Sequence, residues 1–181
     1  ALGTLYASVS SVILLTKSCE LHGIYTWILG SFNGRGWTEV RFIFLPAVIS
    51  FFLMLICASR LDIMTGGEQI AMSLGLEVAH LRTLVLVSGS LAVSAAVCAG
   101  GTIQFVGLIA PHIVRKVYGE IYTKAVRLIP LSALFGAILL LLSDTAARLV
   151  IAPSELPAGL ITSLLGAPFF ISLIFTGEKR R

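Results

Sequence analysis

The chain has 181 residues, 57% of them hydrophobic and 12% charged, with a formal net charge of +4 and a mean hydropathy of +0.98. Soluble domains average about 25% charged residues, so this composition excludes a water-soluble globular fold and describes an integral membrane protein. The positive charge is not interleaved with aromatics on one face, which argues against nucleic acid as a partner; three widely spaced cysteines and three scattered histidines give no disulfide framework and no metal-ligand spacing, so no bound metal is expected.

The first apolar run, residues 1–16, is uncharged and carries Gly3, Ala7 and Ser11 at helical spacing, a small-residue stripe that lets helices approach closely in lipid. It begins at Ala1 with neither initiator Met nor signal peptide, so the sequence reads as a fragment of a longer protein. Residues 17–41 are mixed and hold Tyr25, Trp27 and Trp37, placed as aromatic anchors at a membrane surface. A second span of uncharged residues, 42–59, is bracketed by Arg41 and Arg60, with Pro46 near its start.

The loop 60–82 follows. Thr65-Gly66-Gly67-Glu68 has the Thr-x-x-Glu form of a capping box and predicts a helix start, running to Leu74 and breaking at Gly75. A second short helix is expected over Glu77 to Arg82. Two short helices at an angle make a compact docking knob; a surface loop that binds only membrane lipid is the plain alternative. Gly66-Gly67 is not a phosphate-binding loop, because no Gly-Lys-Ser/Thr follows. No cofactor is expected on this chain, and ATP, if involved, binds another one.

Residues 83–99 form a third span, closed by Gly100-Gly101, where the chain reverses. The next apolar piece, 102–114, is predicted as a short broken helix of about 20 Å, too short for a bilayer core of roughly 30 Å and therefore buried among other helices. His112 is expected to face headgroups or a neighbouring loop. A fifth span, 128–149, carries Asp144 and Arg148 four apart, acid first, as a structural ion pair. The sixth, 156–177, opens on Ser154, Glu155, Pro157 and Gly159, suited to an N-cap, a positive dipole end and a first helical turn; Gly159, Ser163 and Ala167 continue it as a small-residue stripe. A glycine-bearing helix start is also a candidate movable gate. The fold expected is an all-α, polytopic membrane bundle of about six hydrophobic helices in one transmembrane domain, 1–181.

Nine bases lie in 60–82, 115–127 and 178–181, against four elsewhere. The positive-inside rule makes those segments and the C-terminus cytoplasmic.

Several phrases in order resemble the permease subunits of bacterial ABC importers for iron-siderophore complexes, haem and cobalamin, the FecCD-type family: Trp27-Ile28-Leu29-Gly30-Ser31, Gly67-Glu68-Gln69-Ile70-Ala71-Met72-Ser73-Leu74-Gly75, Phe105-Val106-Gly107-Leu108-Ile109-Ala110-Pro111-His112, Pro130-Leu131-Ser132-Ala133, Asp144-Thr145-Ala146-Ala147-Arg148, Glu155-Leu156-Pro157-Ala158-Gly159 and Gly166-Ala167-Pro168-Phe169-Phe170. The resemblance implies the second half of a ten-helix permease in the bacterial cytoplasmic membrane, paired with a second permease copy or paralogue. It implies ABC ATPase subunits docked on the loop bearing Thr65, Gly67, Glu68, Ala71, Leu74 and Gly75. It also implies a periplasmic or lipid-anchored substrate-binding protein at the face bearing Trp27 and Glu155, with Glu155, Pro157 and Gly159 as pathway or gate candidates. Gln104 departs from the small residue usual before Phe-Val-Gly. The rival readings are an ion-coupled secondary transporter, in which Asp144 and Arg148 join the ion path, and an inactive membrane fragment.

Overall fold

The computed structural model describes residues 21–119, 124–150 and 156–178; the run 1–16 and Glu155 lie outside them. The described residues fold into seven helices: α1 (Leu21–Leu29), α2 (Trp37–Met64), α3 (Glu68–Ser73), α4 (Val78–Gly100), α5 (Val106–Tyr118), α6 (Ala125–Val150) and α7 (Ala158–Glu178). Three of them, α2, α4 and α6, are long and apolar enough to cross a membrane. In hydrocarbon every backbone group needs an internal partner, so these β-branched and aromatic stretches become helices regardless of their modest intrinsic propensity.

The packing follows membrane rules. The interior is rich in small residues, Cys57, Ala58, Ser88, Ala110, Ala147 and Thr162 being buried together with a few larger ones, Leu81, Ile109 and Val114. Many large apolar side chains point outward, Phe42, Leu45 and Ile56 on α2 being 78%, 66% and 64% exposed. A soluble protein hides such residues, whereas this exterior is matched to hydrocarbon or to other membrane helices. Buried hydroxyls turn back on their own helices, Ser50 to the Ala47 carbonyl (2.9 Å), Ser88 to that of Val85 (3.1 Å) and Thr162 to that of Gly159 (3.0 Å). These bonds let polar side chains sit in the core without unpaired groups.

α2 lies chiefly against α4 and also against α6; α5 packs on α6, and α6 on α7. Because α2 has 28 residues, its ends stand about 42 Å apart. One end joins α1, the other joins α3, and α4 returns along it. The two ends of the bundle are therefore built from different parts of the sequence.

Helix limits differ from expectation in a consistent direction. α2, α4 and α6 continue past the apolar runs 42–59, 83–99 and 128–149 into polar flanks, because backbone hydrogen bonding does not stop where hydrocarbon does. The fourth helix is displaced: residues 102–105 are not helical, and α5 starts at Val106 and ends at Tyr118, followed by Gly119 with φ +67°. Its 13 residues still reach only about 20 Å.

Candidate functional site

At the α3 end, the local structure departs from the expected capping box. Thr65 is the last residue of the α2 terminus: its N–H donates to the carbonyls of Leu61 and Asp62, and its hydroxyl donates to that of Asp62 at 2.7 Å. The residue preceding α3 is Gly67, with φ +114° and no side-chain cap. Thr65 turns backward because Gly66 and Gly67 leave its hydroxyl closer to the helix just finished than to the one about to begin. The predicted second short helix is absent as a separate element; Glu77 leads directly into α4.

The end of α3 is tightly specified. Gly75 has φ +80°, its N–H donates to the Met72 carbonyl at 2.9 Å, and the Leu76 N–H donates to the Ala71 carbonyl at 3.1 Å. This pair of bonds is the Schellman arrangement, which requires a left-handed residue where Gly75 stands. A six-residue helix does not persist alone in water, so it is held by its neighbours. Ala71 is wholly buried, α3 touches both α2 and α4, and Glu68 meets Arg82 of α4 at 3.3 Å. Ile70, Met72 and Leu74 remain 55%, 54% and 69% exposed. The result is a small braced helix presenting apolar side chains at one tip of the bundle.

The other end is a clasp around the C-terminus of α1. The last carbonyls of a helix lack intrahelical donors. Here the Thr102 N–H donates to the Trp27 carbonyl at 3.2 Å and the Thr102 hydroxyl donates to that of Ile28; the Gly159 N–H donates to the Gly30 carbonyl at 2.9 Å, and the Ser31 N–H to that of Gly100 at 2.8 Å. Residues 102–105 are not helical: Thr102 supplies two of these donors, and Phe105 is left-handed. Gly101 and Gly159 lie so close to α1 that a Cβ on either would overlap the Trp27 or Leu29 carbonyl oxygen. Phe105, with φ +66°, closes the turn into α5 against Gly166.

Pro157 and Gly159 are thus buried in this clasp. The face of α7 that packs inward carries Gly159, Thr162 and Gly166, whereas Ser163 is half-buried and Ala167 exposed, a shift of the expected stripe by one position. Trp27 and Tyr25 stay about half exposed, and Trp27 lines a polar hollow of about 380 Å³ with Ser31, Asn33 and Arg35. Between the two ends, an apolar groove of about 620 Å³ runs along α2, α4 and α6 and reaches α5, lined by Ala47, Ala95, Ala99, Pro111 and Ser132 among others. Arg148 binds Asp144 at 2.9 Å, so the two charges neutralise each other on α6. His112 is half-buried and meets Phe169 of α7 edge to face at 5.6 Å, not a loop.

Sequence reasoning missed Thr102 and Asp62. Nothing in the local pattern marks either; both bond to elements distant in sequence.

Comparison with known proteins gives concordant results. Residues 1–176 match the FecCD transport family. The chain is 44% identical over 175 residues to the uncharacterized ABC transporter permease protein YvrB of Bacillus subtilis, covering 96% of this chain and 48% of that protein. It is 36% identical over 175 residues to the Fe(3+) dicitrate transport system permease protein FecD of Escherichia coli, covering 96% and 54%. The cobalamin import system permease protein BtuC of Halobacterium salinarum is 36% identical over 180 residues, covering 99% and 47%. A solved structure described as an inward-facing conformation of a metal-chelate type ABC transporter superposes with a TM-score of 0.82 at 32% identity, over 95% of this chain and 57% of the other. The chain spans about half the length of the curated relatives it matches.

Proposed function

The chain belongs to the FecCD transport family, and from that premise we propose that it is part of the permease of an ATP-driven importer carrying an iron chelate or cobalamin across the bacterial cytoplasmic membrane. The permease works with ABC ATPase subunits on the cytoplasmic side, a substrate-binding protein on the outer side and a second permease copy or paralogue. The chain itself hydrolyses nothing. The observation that carries this reading is α3: a helix too short to stand alone, braced through Ala71 and Glu68, with Ile70, Met72 and Leu74 projecting at the tip. An apolar knob on a rigid base is what a motor needs to push on.

In this reading the α3 end and the C-terminus face the cytoplasm, in keeping with the basic residues there. The clasp end, with Trp27 and the Arg35 hollow, faces the binding protein. Clasp glycines give a rigid frame at the mouth of the path, and a path lined by small and apolar groups releases a chelate rather than retaining it. The test is replacement of Glu68 and Gly75 together in the full permease. ATPase subunits are expected to be lost on purification; an intact complex with normal coupled turnover would refute the docking assignment.

A further inference from the structure

Asp62 lies in the last turn of α2, three residues before Thr65. Its Oδ1 accepts the backbone N–H of Ala125 at 2.7 Å, a partly buried bond between residues 63 apart in sequence. Ala125 is the first residue of α6, where helical N–H groups have no partner within their own helix. The first turn of α6 contains no acidic residue, and Lys124 and Arg127 place positive charge at an end already made positive by the helix dipole. Asp62 brings a carboxylate to this end from α2.

The same residue also anchors the loop to α3: the Asp62 carbonyl accepts both the N–H (3.3 Å) and the hydroxyl (2.7 Å) of Thr65. One residue thus holds the base of the knob with its main chain and the start of a membrane-spanning helix with its side chain. The knob touches α2 and α4 directly, whereas α5 and α7 pack against α6. We infer that Asp62 is a positioning residue for transport: it makes α6 follow α3, so that a push on the knob is delivered to the half of the bundle the knob does not touch. The proposal rests on the permease reading, and on the bond between α2 and α6, which is independent of it.

The two are separated by experiment. In the full permease without ATPase, hydrogen exchange at the Ala125 amide is expected to accelerate about tenfold or more in Asp62→Ala and to stay near the parent rate in Asp62→Asn, which keeps the acceptor oxygen. Unchanged exchange in Asp62→Ala overturns the cap. In the permease with its ATPase in nanodiscs, spin labels on Ser73→Cys and Val126→Cys, in a background without other reactive cysteines, report the distance between knob and α6 before and after trapping with ATP and vanadate. That distance is expected to be the same in both states for the parent and Asp62→Asn, and to change by several ångströms on trapping in Asp62→Ala, with ATPase still bound. A distance that stays fixed in Asp62→Ala overturns the positioning role. Failure of the parent permease to retain ATPase would count against the permease reading and leave the exchange result to decide the cap.

Discussion

The N–H of Gly159 donates to the carbonyl of Gly30 at 2.9 Å, and a Cβ on Gly159 would overlap the neighbouring Leu29 carbonyl oxygen. Backbone meets backbone here, so no flexible side chain can yield. Gly159→Ala is expected to destabilise the protein by about 3 kcal/mol, as overpacking against an unyielding neighbour does, and to be read as a lowered midpoint of thermal unfolding in detergent. Equal stability of the variant would mean that α7 does not seat against α1 this closely.

Thr102 supplies two donors to the end of α1, one from its main chain and one from its hydroxyl. Thr102→Val preserves shape and removes only the hydroxyl, so it should cost about 1 kcal/mol. Thr102→Ser should cost less. Chemical denaturation of the three proteins side by side checks the order.

Gly75 has φ +80° with open space where a Cβ would point. The cost of Gly75→Ala is therefore the backbone cost alone, about 1 kcal/mol, and Gly75→Asn should cost less because Asn tolerates the left-handed region. Thermal unfolding of both variants distinguishes this from a packing role, which would penalise the larger Asn more.

Glu68 and Arg82 meet at 3.3 Å with side chains 52% and 59% exposed. An exposed pair contributes at most about 1 kcal/mol, so Glu68→Gln should barely move the unfolding midpoint. Its effect on ATPase association, measured by copurification at low and raised salt, should be the larger of the two. A variant that unfolds readily yet still binds ATPase would reverse the roles assigned to this pair.

Asp144 and Arg148 satisfy each other at 2.9 Å. Asp144→Asn should leave ATP-driven uptake within about twofold of the parent, the loss of one partly exposed pair being roughly 1 kcal/mol or less. Uptake measured in vesicles with ATP clamped, with and without a proton or sodium gradient, checks this. Gradient-driven uptake abolished by Asp144→Asn would instead place the pair on an ion path.

What was legible in the sequence was whatever depends on composition over a window. The apolar runs at 42–59, 83–99 and 128–149 mark α2, α4 and α6 because hydrocarbon demands both apolar side chains and continuous backbone bonding over the same stretch. The Asp144 and Arg148 pair was equally visible, since a four-residue spacing on a helix is a local geometry. Thr65 was misread for the opposite reason: Thr-x-x-Glu is compatible with capping forward or closing backward, and two glycines between the partners decide it. Residues 102–105 read as the start of the helix after them, yet the amide and hydroxyl of Thr102 are drawn to α1, a tertiary demand that no local pattern records. The inward face of α7 was placed one residue off because a run of Gly159, Ser163 and Ala167 and a run of Gly159, Thr162 and Gly166 satisfy the same spacing rule; contact with Phe105 selects the second.

The clasp carries a consequence for biosynthesis. The free carbonyls of α1 wait for an amide and a hydroxyl 74 residues later, and the Gly30 carbonyl waits for a helix made later still. During synthesis Thr102 covers the Trp27 and Ile28 carbonyls first, whereas the Gly30 carbonyl has no donor until α7 emerges, so a ribosome stalled before Gly159 would leave the clasp half closed while α2 to α6 are already in the bilayer. Quality control that monitors unshielded backbone in a nascent membrane protein would have this one short segment to watch, and its protection would signal that the whole insertion is complete.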